Sequence, residues 1–311
     1  MKTKTIKQII KRKLEDWISS IEDEKLREDL KANTFVTGGC ITSMLLREKV
    51  NDYDLYFRTK EHAVAVARYY VSRFTTHKKK GIPVELYVRV EEDRVKIVAK
   101  SAGIASEQGT DKPYEYFEAS ADEDAASEYV KDVMRDPLEI EDANEELSEK
   151  TKTDDGKKYR PVFLSTNAIS LSHKVQLVLR FFGEPEAVHE NYDFIHCTNY
   201  YSSWDNELHL NKEALEATIT RTLTYVGSKY PVCSIFRIRK FVARGWTINA
   251  GQILKILMQV SALDLTDFKT LEDQLTGVDV AYFANLLEKM KDKDPTKVDT
   301  AYLCQIINQL F

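Results

Sequence analysis

The sequence predicts an α+β part followed by an all-α part, and two observations support this fold class. Residues 35–57 read as strand, glycine turn, short helix and strand, and further strand-like runs follow up to about residue 210. Beyond that point only helical periodicity remains, in segments fitting 211–226, 231–244, 249–262, 267–275, 278–291 and 298–310. We therefore expect a mixed sheet with flanking helices at 1–210, a polar acidic insertion around 106–160 within it, and a helical domain at 211–311.

Composition limits the function classes. The chain has 311 residues, of which 43% are hydrophobic and 31% charged, which is ordinary for a protein with a sizeable core. Its four cysteines are far apart and no run of about 18 apolar residues exists, so we expect a cytoplasmic protein with reduced thiols and no membrane span. Because the formal net charge is −5, any contact with nucleic acid needs a local basic patch.

The elements of the first part follow from apolar spacing. Residues 5–31 carry an apolar stripe at three- and four-residue intervals, which predicts a helix, and Thr59 is placed to cap another over about 60–74. Strand-like runs occur at Val84–Val90, Arg94–Ala99, Val175–Phe182 and 193–201, the first two forming a hairpin that turns at 91–93. Within the insertion we expect helix around 122–134 and a mobile stretch near 141–158.

The helices of the second part have recognisable ends. Polar residues that commonly cap helices stand near four of the starts, and glycines stand near two of the ends. These residues are Asn211, Asn249, Thr266 and Asp299 at the starts, and Gly227 and Gly245 at the ends.

The stretch with the most chemical content is FVTGGCITSMLLREKVNDYDLYF, residues 35–57. Gly38 and Gly39 allow a turn with positive φ and close approach of a ligand to the backbone. Asp52 and Asp54 are two apart on a strand, so they share a face and repel each other unless a cation lies between them. Oxygen ligands of this kind favour Mg²⁺.

This stretch resembles the nucleotidyltransferase superfamily that includes DNA polymerase beta. Within it, the pattern is most similar to the head of poly(A) polymerases and tRNA CCA-adding enzymes, roughly GGxVRDxLLG followed by DxD. Thr42 and Ser43 stand where that family usually has Arg-Asp. The residues that match are Gly38, Gly39, Leu45, Leu46, Asp52 and Asp54. A fainter likeness joins Ser165, Asn167 and Ala168 to the family's RRDFTxNA segment.

A basic helix is predicted over 231–244. Arg237, Lys240 and Arg244 recur at three- and four-residue spacing, so they share a face that is either solvated or phosphate-binding. The segment resembles the neck of the same polymerases, roughly DPLRxLRxxRFAARxGFxI, with Tyr230 in place of the Asp. The matching residues are Pro231, Arg237, Phe241, Ala243, Arg244, Gly245 and Ile248.

Two-metal chemistry usually needs a third carboxylate, and two residues are candidates. Asp193 is favoured because the runs around it look like central strands, which hold a carboxylate rigidly. Glu85 is the alternative, because in the order seen in CCA-adding enzymes the third acid precedes the Thr-Asn-Ala segment.

The resemblance implies a metal-dependent nucleotidyltransferase. An NTP would place its phosphates on Gly38, Gly39 and Ser43, and Arg237 and Lys240 would bind the triphosphate or the base. Asp52, Asp54 and Asp193 would hold two Mg²⁺ ions. We expect the acceptor to be an RNA 3′ end. The alternatives are transfer to a protein or small molecule, and a non-catalytic RNA-binding protein that retains the fold.

Overall fold

A mixed eight-stranded sheet forms the centre of the structure. The computed structural model describes residues 1–74, 84–101, 118–120 and 158–275. Its main sheet has the spatial order β10-β9-β1-β2-β8-β7-β6-β5. Those strands are β1 (Thr34–Thr37), β2 (Tyr53–Phe57), β5 (Glu118–Ser120), β6 (Pro161–Ser165), β7 (Ala168–Leu171), β8 (Val175–Val178), β9 (Tyr200–Ser202) and β10 (Glu207–His209). A second, two-stranded sheet is the hairpin of β3 (Val84–Val90) and β4 (Val95–Ser101).

Helices precede, interrupt and follow the strands. Those within the first part are α1 (Thr3–Ser19), α2 (Glu24–Lys31), α3 (Gly39–Leu46), α4 (Lys60–Val71) and α5 (Pro185–His189). The helices that follow the last strand are α6 (Lys212–Thr220), α7 (Pro231–Ala243), α8 (Ala250–Ser261) and α9 (Phe268–Leu275). The fold-class prediction of a mixed sheet with flanking helices, followed by helices, is confirmed. None of the described helices is both long and apolar enough to span a membrane.

Strand pairing brings the motif of residues 35–57 to the middle of the sheet. β2 pairs with β1 antiparallel and with β8 parallel, and the remaining pairs of the main sheet are antiparallel. In this register Asp54 lies opposite Thr37 on one side and opposite Gln176 on the other. A residue on a central strand is held by neighbours on both sides, which suits a positioned carboxylate.

The two faces of the sheet pack against different layers. Leu55 and Phe57 of β2 belong to a core cluster shared with α1, α2 and α4. Tyr56 points to the opposite face, into a second cluster with Phe35 and with Cys233 of α7. Since alternate residues of a strand share a face, Asp54 lies on the same side as Tyr56, toward α7.

Several predicted elements are confirmed with small shifts. The helix at 60–74 is α4, whose Thr59 side chain accepts a hydrogen bond from the His62 N–H. The hairpin turning at 91–93 is present, and Asn211 and Asn249 cap α6 and α8. Gly245 follows α7 with φ +80.

Four predictions of local structure are wrong. The helix over 5–31 is two helices, because Asp23 caps a new one by accepting from the Leu26 N–H. Gly227 ends no helix, since α6 ends at Arg221 in the left-handed conformation. Asp267, in place of Thr266, accepts from the Thr270 N–H at the start of α9. The fourth error concerns the strand predicted at 193–201.

Residues 193–199 do not join the sheet. Ile195–Cys197 form one 3₁₀ turn, and the strand begins only at Tyr200. The reason is that the preceding backbone pairs with the segment before α7. The Val226 N–H donates to the Asp193 carbonyl at 2.9 Å, and the Ile195 N–H donates to the Thr224 carbonyl at 3.0 Å.

The predicted insertion at 106–160 supplies one strand to the sheet, because β5 pairs with β6. The expected helix at 122–134 lies outside the described residues, as does the expected mobile stretch apart from its last residue. The same holds for the predicted helices at 278–291 and 298–310 and the predicted cap Asp299.

Candidate functional site

The turn between β1 and α3 can be made only by glycine at its first position. Gly38 has φ 88° and ψ −156°, a region that residues with a side chain rarely occupy. A Cβ at this position would lie 2.7 Å from Asp54 Oδ2, whereas a Cβ at Gly39 would meet nothing within 4 Å. Gly38 thus brings the backbone against the Asp54 carboxylate.

The Gly38 N–H is engaged in a backbone hydrogen bond within the protein. It donates to the Cys197 carbonyl at 3.2 Å, which ties the glycine turn to the 3₁₀ segment. An approaching phosphate would therefore meet the turn at Gly39, which is exposed and begins α3. Ser43 is only 7% exposed and lies on the inner side of α3, while Gly39 lies at the surface.

Asp52 immediately precedes β2, and Asp54 is the second residue of that strand. Asp52 is exposed and Asp54 half-buried. Burial raises the pKa of the Cys40 thiol well above its usual value, and the charges of Asp54 and Asp52 raise it further. Both carboxylates are therefore within electrostatic range of the same buried thiol.

Thr37, the residue before the glycine turn, is held by a hydrogen-bond network. Its Oγ1 lies 2.9 Å from the Asn199 carbonyl oxygen and 2.8 Å from His189 Nε2. If the hydroxyl donates its single proton to the carbonyl, His189 must donate from Nε2. Burial lowers the pKa of His189 to about 4, so the imidazole is neutral at physiological pH. The network fixes the strand that faces Asp54.

Asp193 and Arg237 form an ion pair with each other. Arg237 Nη1 donates to Asp193 Oδ2 at 2.7 Å, and the Phe194 N–H donates to Asp193 Oδ1 at 3.1 Å. Asp193 is 8% exposed and lies before the 3₁₀ turn, so the central strand expected to carry it is absent. The two residues assigned separately to metal and to triphosphate are thus neighbours in the described structure.

The Asp193–Arg237 pair and Asp54 both act electrostatically on the Cys197 thiol. Burial raises the pKa of the Cys197 thiol, Asp193 and Asp54 raise it further, and Arg237 and Arg244 lower it. Both carboxylates therefore lie within electrostatic reach of one buried atom. Lys240 lies three residues after Arg237, on the exposed side of α7.

Glu85, the alternative third acid, lies on β3. That strand pairs only with β4 among the described residues, in register with Lys100, and so stands apart from the sheet that carries Asp54. Among the described side chains, no three His, Cys, Asp or Glu residues form a group that could hold a metal ion. The identity of the third carboxylate remains a prediction.

The donor set at Asp52 and Asp54 fits a hard divalent cation. Both side chains supply anionic oxygen, one exposed and one half-buried, and Asp54 lies beside the glycine turn. Mg²⁺ retains several waters in such sites, so two protein carboxylates are an adequate anchor when substrate phosphates complete the shell.

A cluster of charged side chains around Glu48 could not be predicted from the sequence. Glu48, two residues after α3, accepts from Arg221 Nη2 at 2.6 Å and from Arg244 Nη2 at 2.9 Å. Arg244 was expected on the basic face of α7, but Glu48 and Arg221 belong to no periodic pattern. No sequence signal joins them, because the contact spans 173 residues.

Three solved structures show similarity to this chain at low sequence identity. They are the Thermotoga maritima CCA-adding enzyme complexed with tRNA (TM-score 0.37, 12% identity, 94% of this chain and 53% of that chain), a tRNA-processing enzyme with CTP (0.37, 12%, 92% and 57%), and the Bacillus stearothermophilus CCA-adding enzyme with CTP (0.33, 10%, 85% and 49%). This chain therefore spans about half the length of each.

A phage protein and a family model also match this chain. The protein "Gabija anti-defense 2" of Bacillus phage SPbetaL7 is 24% identical over 123 residues, which are 39% of this chain and 31% of that protein. The family model described as "Gabija anti-defense 2 family protein" matches residues 8–221, more than half of the chain. The motifs resembling poly(A) polymerases and CCA-adding enzymes lie partly within that range. The chain belongs to the Gabija anti-defense 2 family.

Proposed function

We propose that this protein is a metal-dependent nucleotidyltransferase that moves a nucleoside monophosphate from an NTP to an acceptor hydroxyl. The observation that carries the proposal is the close approach of Gly38 to Asp54, where a positive φ, and a distance of 2.7 Å from an added Cβ to Asp54 Oδ2, leave no room for a side chain. A surface hairpin with two solvated aspartates has no need of such a constrained approach.

Each residue has a role in this proposal. The exposed Gly39 at the start of α3 receives the NTP phosphates, and Ser43 of the same helix is the side chain assigned to them. Asp52 and Asp54 hold Mg²⁺, and Asp193 is the proposed third carboxylate. Arg237 and Lys240 approach the triphosphate or the base from α7. When bound, the metal ions supply charge neutralisation of the phosphates and activation of the attacking hydroxyl.

We propose an RNA 3′ end as the acceptor and the cytoplasm as the site of action. Within the family's stated context, the transfer would act against a component of the Gabija system or an RNA on which that system depends. The second candidate is transfer to a protein or small molecule, because the family name gives an anti-defence role and no acceptor. The third is a non-catalytic RNA-binding protein, which the retained Asp52 and Asp54 disfavour.

A labelling experiment tests the proposal. The protein is incubated with each labelled NTP, Mg²⁺, total RNA and cell protein, and label is followed into both macromolecules. We expect incorporation into RNA that requires Mg²⁺ and is lost in Asp54→Asn. If label appears in protein alone, the acceptor is a protein and not RNA. Absence of metal-dependent label from every arm, with the Mg²⁺ and NTP both bound, would contradict the enzymatic proposal.

A further inference from the structure

A carboxylate held by two guanidinium groups lies where α3 meets the helical part of the chain. Glu48 accepts from Arg221 at 2.6 Å and from Arg244 at 2.9 Å, one oxygen to each arginine. Arg221 Nη1 also donates to the Arg244 backbone carbonyl at 3.1 Å, which fixes the two arginines side by side. The side chains of Glu48, Arg221 and Arg244 are 26%, 36% and 33% exposed, so an external ligand can reach all three.

The backbone at this cluster is strained. Arg47 and Arg221, which end α3 and α6, have φ of 63° and 49° in the left-handed region. Glycine is the usual residue there, because a side chain makes this conformation unfavourable. Both positions keep an arginine despite that cost. Such strain is commonly found at functional sites.

The surroundings of Glu48 are basic. Its neighbours in sequence are Arg47 and Lys49, and Lys240 lies one helical turn before Arg244. Elsewhere, Glu184 and Glu207 each pair with a single basic residue, Arg58 and Lys7 respectively. In a chain of net charge −5, this concentration of positive charge marks the region suited to a polyanion.

We propose that Arg221 and Arg244 form a phosphate-binding site for a nucleic-acid strand, and that Glu48 occupies this site when no strand is bound. Two guanidinium groups that grip the two oxygens of a carboxylate present the same donors to two oxygens of a phosphate. The ion pairs are partly exposed, so displacing the carboxylate costs little. This inference rests on the proposed function, because it assigns the surface on which the acceptor lies.

The location is consistent with that role. The buried Cys197 thiol is influenced by Asp54 and by Arg244, which places the two charged groups near one residue. Arg221 lies on the element that follows the last strand, and Arg244 ends α7. Arg244 and Asp54 are thus both within electrostatic range of Cys197.

Substitution of Glu48 distinguishes this site from an ordinary structural ion pair. Binding of a short 5′-fluorescein single-stranded RNA is measured by fluorescence anisotropy in EDTA, in an Asp54→Asn background that prevents transfer. We expect Glu48→Gln to tighten binding about three- to fivefold, since a competing carboxylate is removed. The matched control Glu207→Gln removes the same charge from β10, where Glu207 pairs with Lys7. We expect it to leave the affinity within twofold of the unsubstituted value.

Substituting either arginine should have the opposite effect on RNA binding. Arg221→Gln and Arg244→Gln should each weaken binding and reduce the slope of log affinity against log salt by about one. The control Arg58→Gln, which breaks the pair with Glu184, should leave that slope unchanged. Weaker or unchanged binding in Glu48→Gln, or equal slopes in all three arginine variants, would overturn the proposal.

A measurement on the unmodified protein covers the case in which a variant fails to fold. Phenylglyoxal modification of arginines is followed by mass spectrometry with RNA, with single-stranded DNA, or with ATP alone. Protection of Arg221 and Arg244, with Arg58 unprotected, by RNA or DNA supports the site, and the more effective polymer identifies the strand. Protection by ATP alone at equal phosphate concentration would assign the arginines to the NTP and overturn the proposal.

The outcome is separable from that of the proposed function. RNA binding at Arg221 and Arg244 without any nucleotide transfer would refute the enzymatic proposal alone. Metal-dependent transfer with no effect of these arginines on RNA binding would refute this inference alone.

Discussion

The β1–α3–β2 unit and the segment 193–201, which both carry proposed site residues, are built in different ways. In the first, a glycine of positive φ, a short helix and a paired strand place Asp54 through contacts within 20 residues of one another. In the second, Asp193 is placed by an ion pair to Arg237, 44 residues later, and by backbone bonds to 224–226. The turn and strand of the first region are therefore encoded locally, although pairing to β8 and bonds to residues 197 and 199 hold them in place, whereas tertiary contacts place Asp193.

The difference explains why the strand–turn–helix–strand prediction for residues 35–57 is confirmed and the strand predicted at 193–201 is wrong. Alternating apolar residues after Asp193 suggest a strand, yet Phe194, Ile195 and His196 are all buried, at 0%, 7% and 1% exposure. Burial alone does not distinguish this segment from a central strand, since all four residues of β1 are buried as well; its backbone hydrogen bonds to residues 224–226 do. The three residues are enclosed by α6, α7 and the loop before α7, which the local sequence does not encode.

The largest expected effect is the loss of nucleotide transfer when either aspartate of the first region is substituted. Asp52→Asn and Asp54→Asn should each reduce nucleotide transfer by at least about 100-fold while the protein stays folded. Removing one of two neighbouring carboxylates relieves repulsion, so the melting temperature should stay the same or rise. Transfer assays and thermal melts on the same samples check both statements. Wild-type transfer rates in both variants would refute the metal-site assignment.

Much of this first region was predictable from the sequence, and the rest of the site was not. The glycine pair and the Asp-x-Asp strand follow from backbone geometry and two-residue periodicity, so Gly38, Asp52 and Asp54 could be assigned together. The Glu48–Arg221–Arg244 cluster could not, because its members are 173 and 196 residues apart and follow no period. The same limitation applies to the ion pair of Asp193.

The second region gives the next prediction. Asp193→Asn should lose transfer to about the same degree as Asp52→Asn, whereas Glu85→Gln should lose little, if Asp193 is the third metal-binding carboxylate. Steady-state kinetics in Mg²⁺ distinguish this role from one in which Asp193 only orients Arg237. In that case Arg237→Gln and Asp193→Asn would both raise KM for the NTP and leave kcat near the wild-type value.

Adjacent glycines offer a matched comparison of stability. Gly38→Ala should lower the free energy of unfolding by on the order of 3 kcal/mol, since it combines a glycine-only backbone conformation with a contact to Asp54. Gly39→Ala should be neutral or stabilise by about 1 kcal/mol, because it adds a helix-favouring residue in open space. Urea denaturation measures both. Equal losses in the two variants would contradict the assigned turn geometry.

The second region should also show acid sensitivity. Burial among Phe241 and Trp246 lowers the pKa of His196 to about 4, against about 6.5 in the unfolded chain. A depressed folded pKa means that this stability is complete above pH 6.5 and is lost as the pH falls toward 4. The maximum loss is about 3 kcal/mol, and His189 adds to it in the same direction.

The histidine prediction is checked by unfolding free energies across that pH range. His196→Phe should flatten the dependence, because it keeps an aromatic ring in the cluster and removes the titrating group. His209→Gln, at the edge of the sheet, serves as the control. An unchanged pH slope in His196→Phe would show that other groups cause the acid sensitivity.

The most direct test of the central proposal is the coupling between Mg²⁺ and NTP. If Asp52 and Asp54 hold the metal against the phosphates, Mg²⁺ and NTP together should raise the melting temperature by more than the sum of their separate effects. The excess should disappear in Asp54→Asn and persist in the control Glu207→Gln. Strictly additive shifts in the wild type, or an excess that survives Asp54→Asn, would contradict a shared metal–nucleotide site on β2.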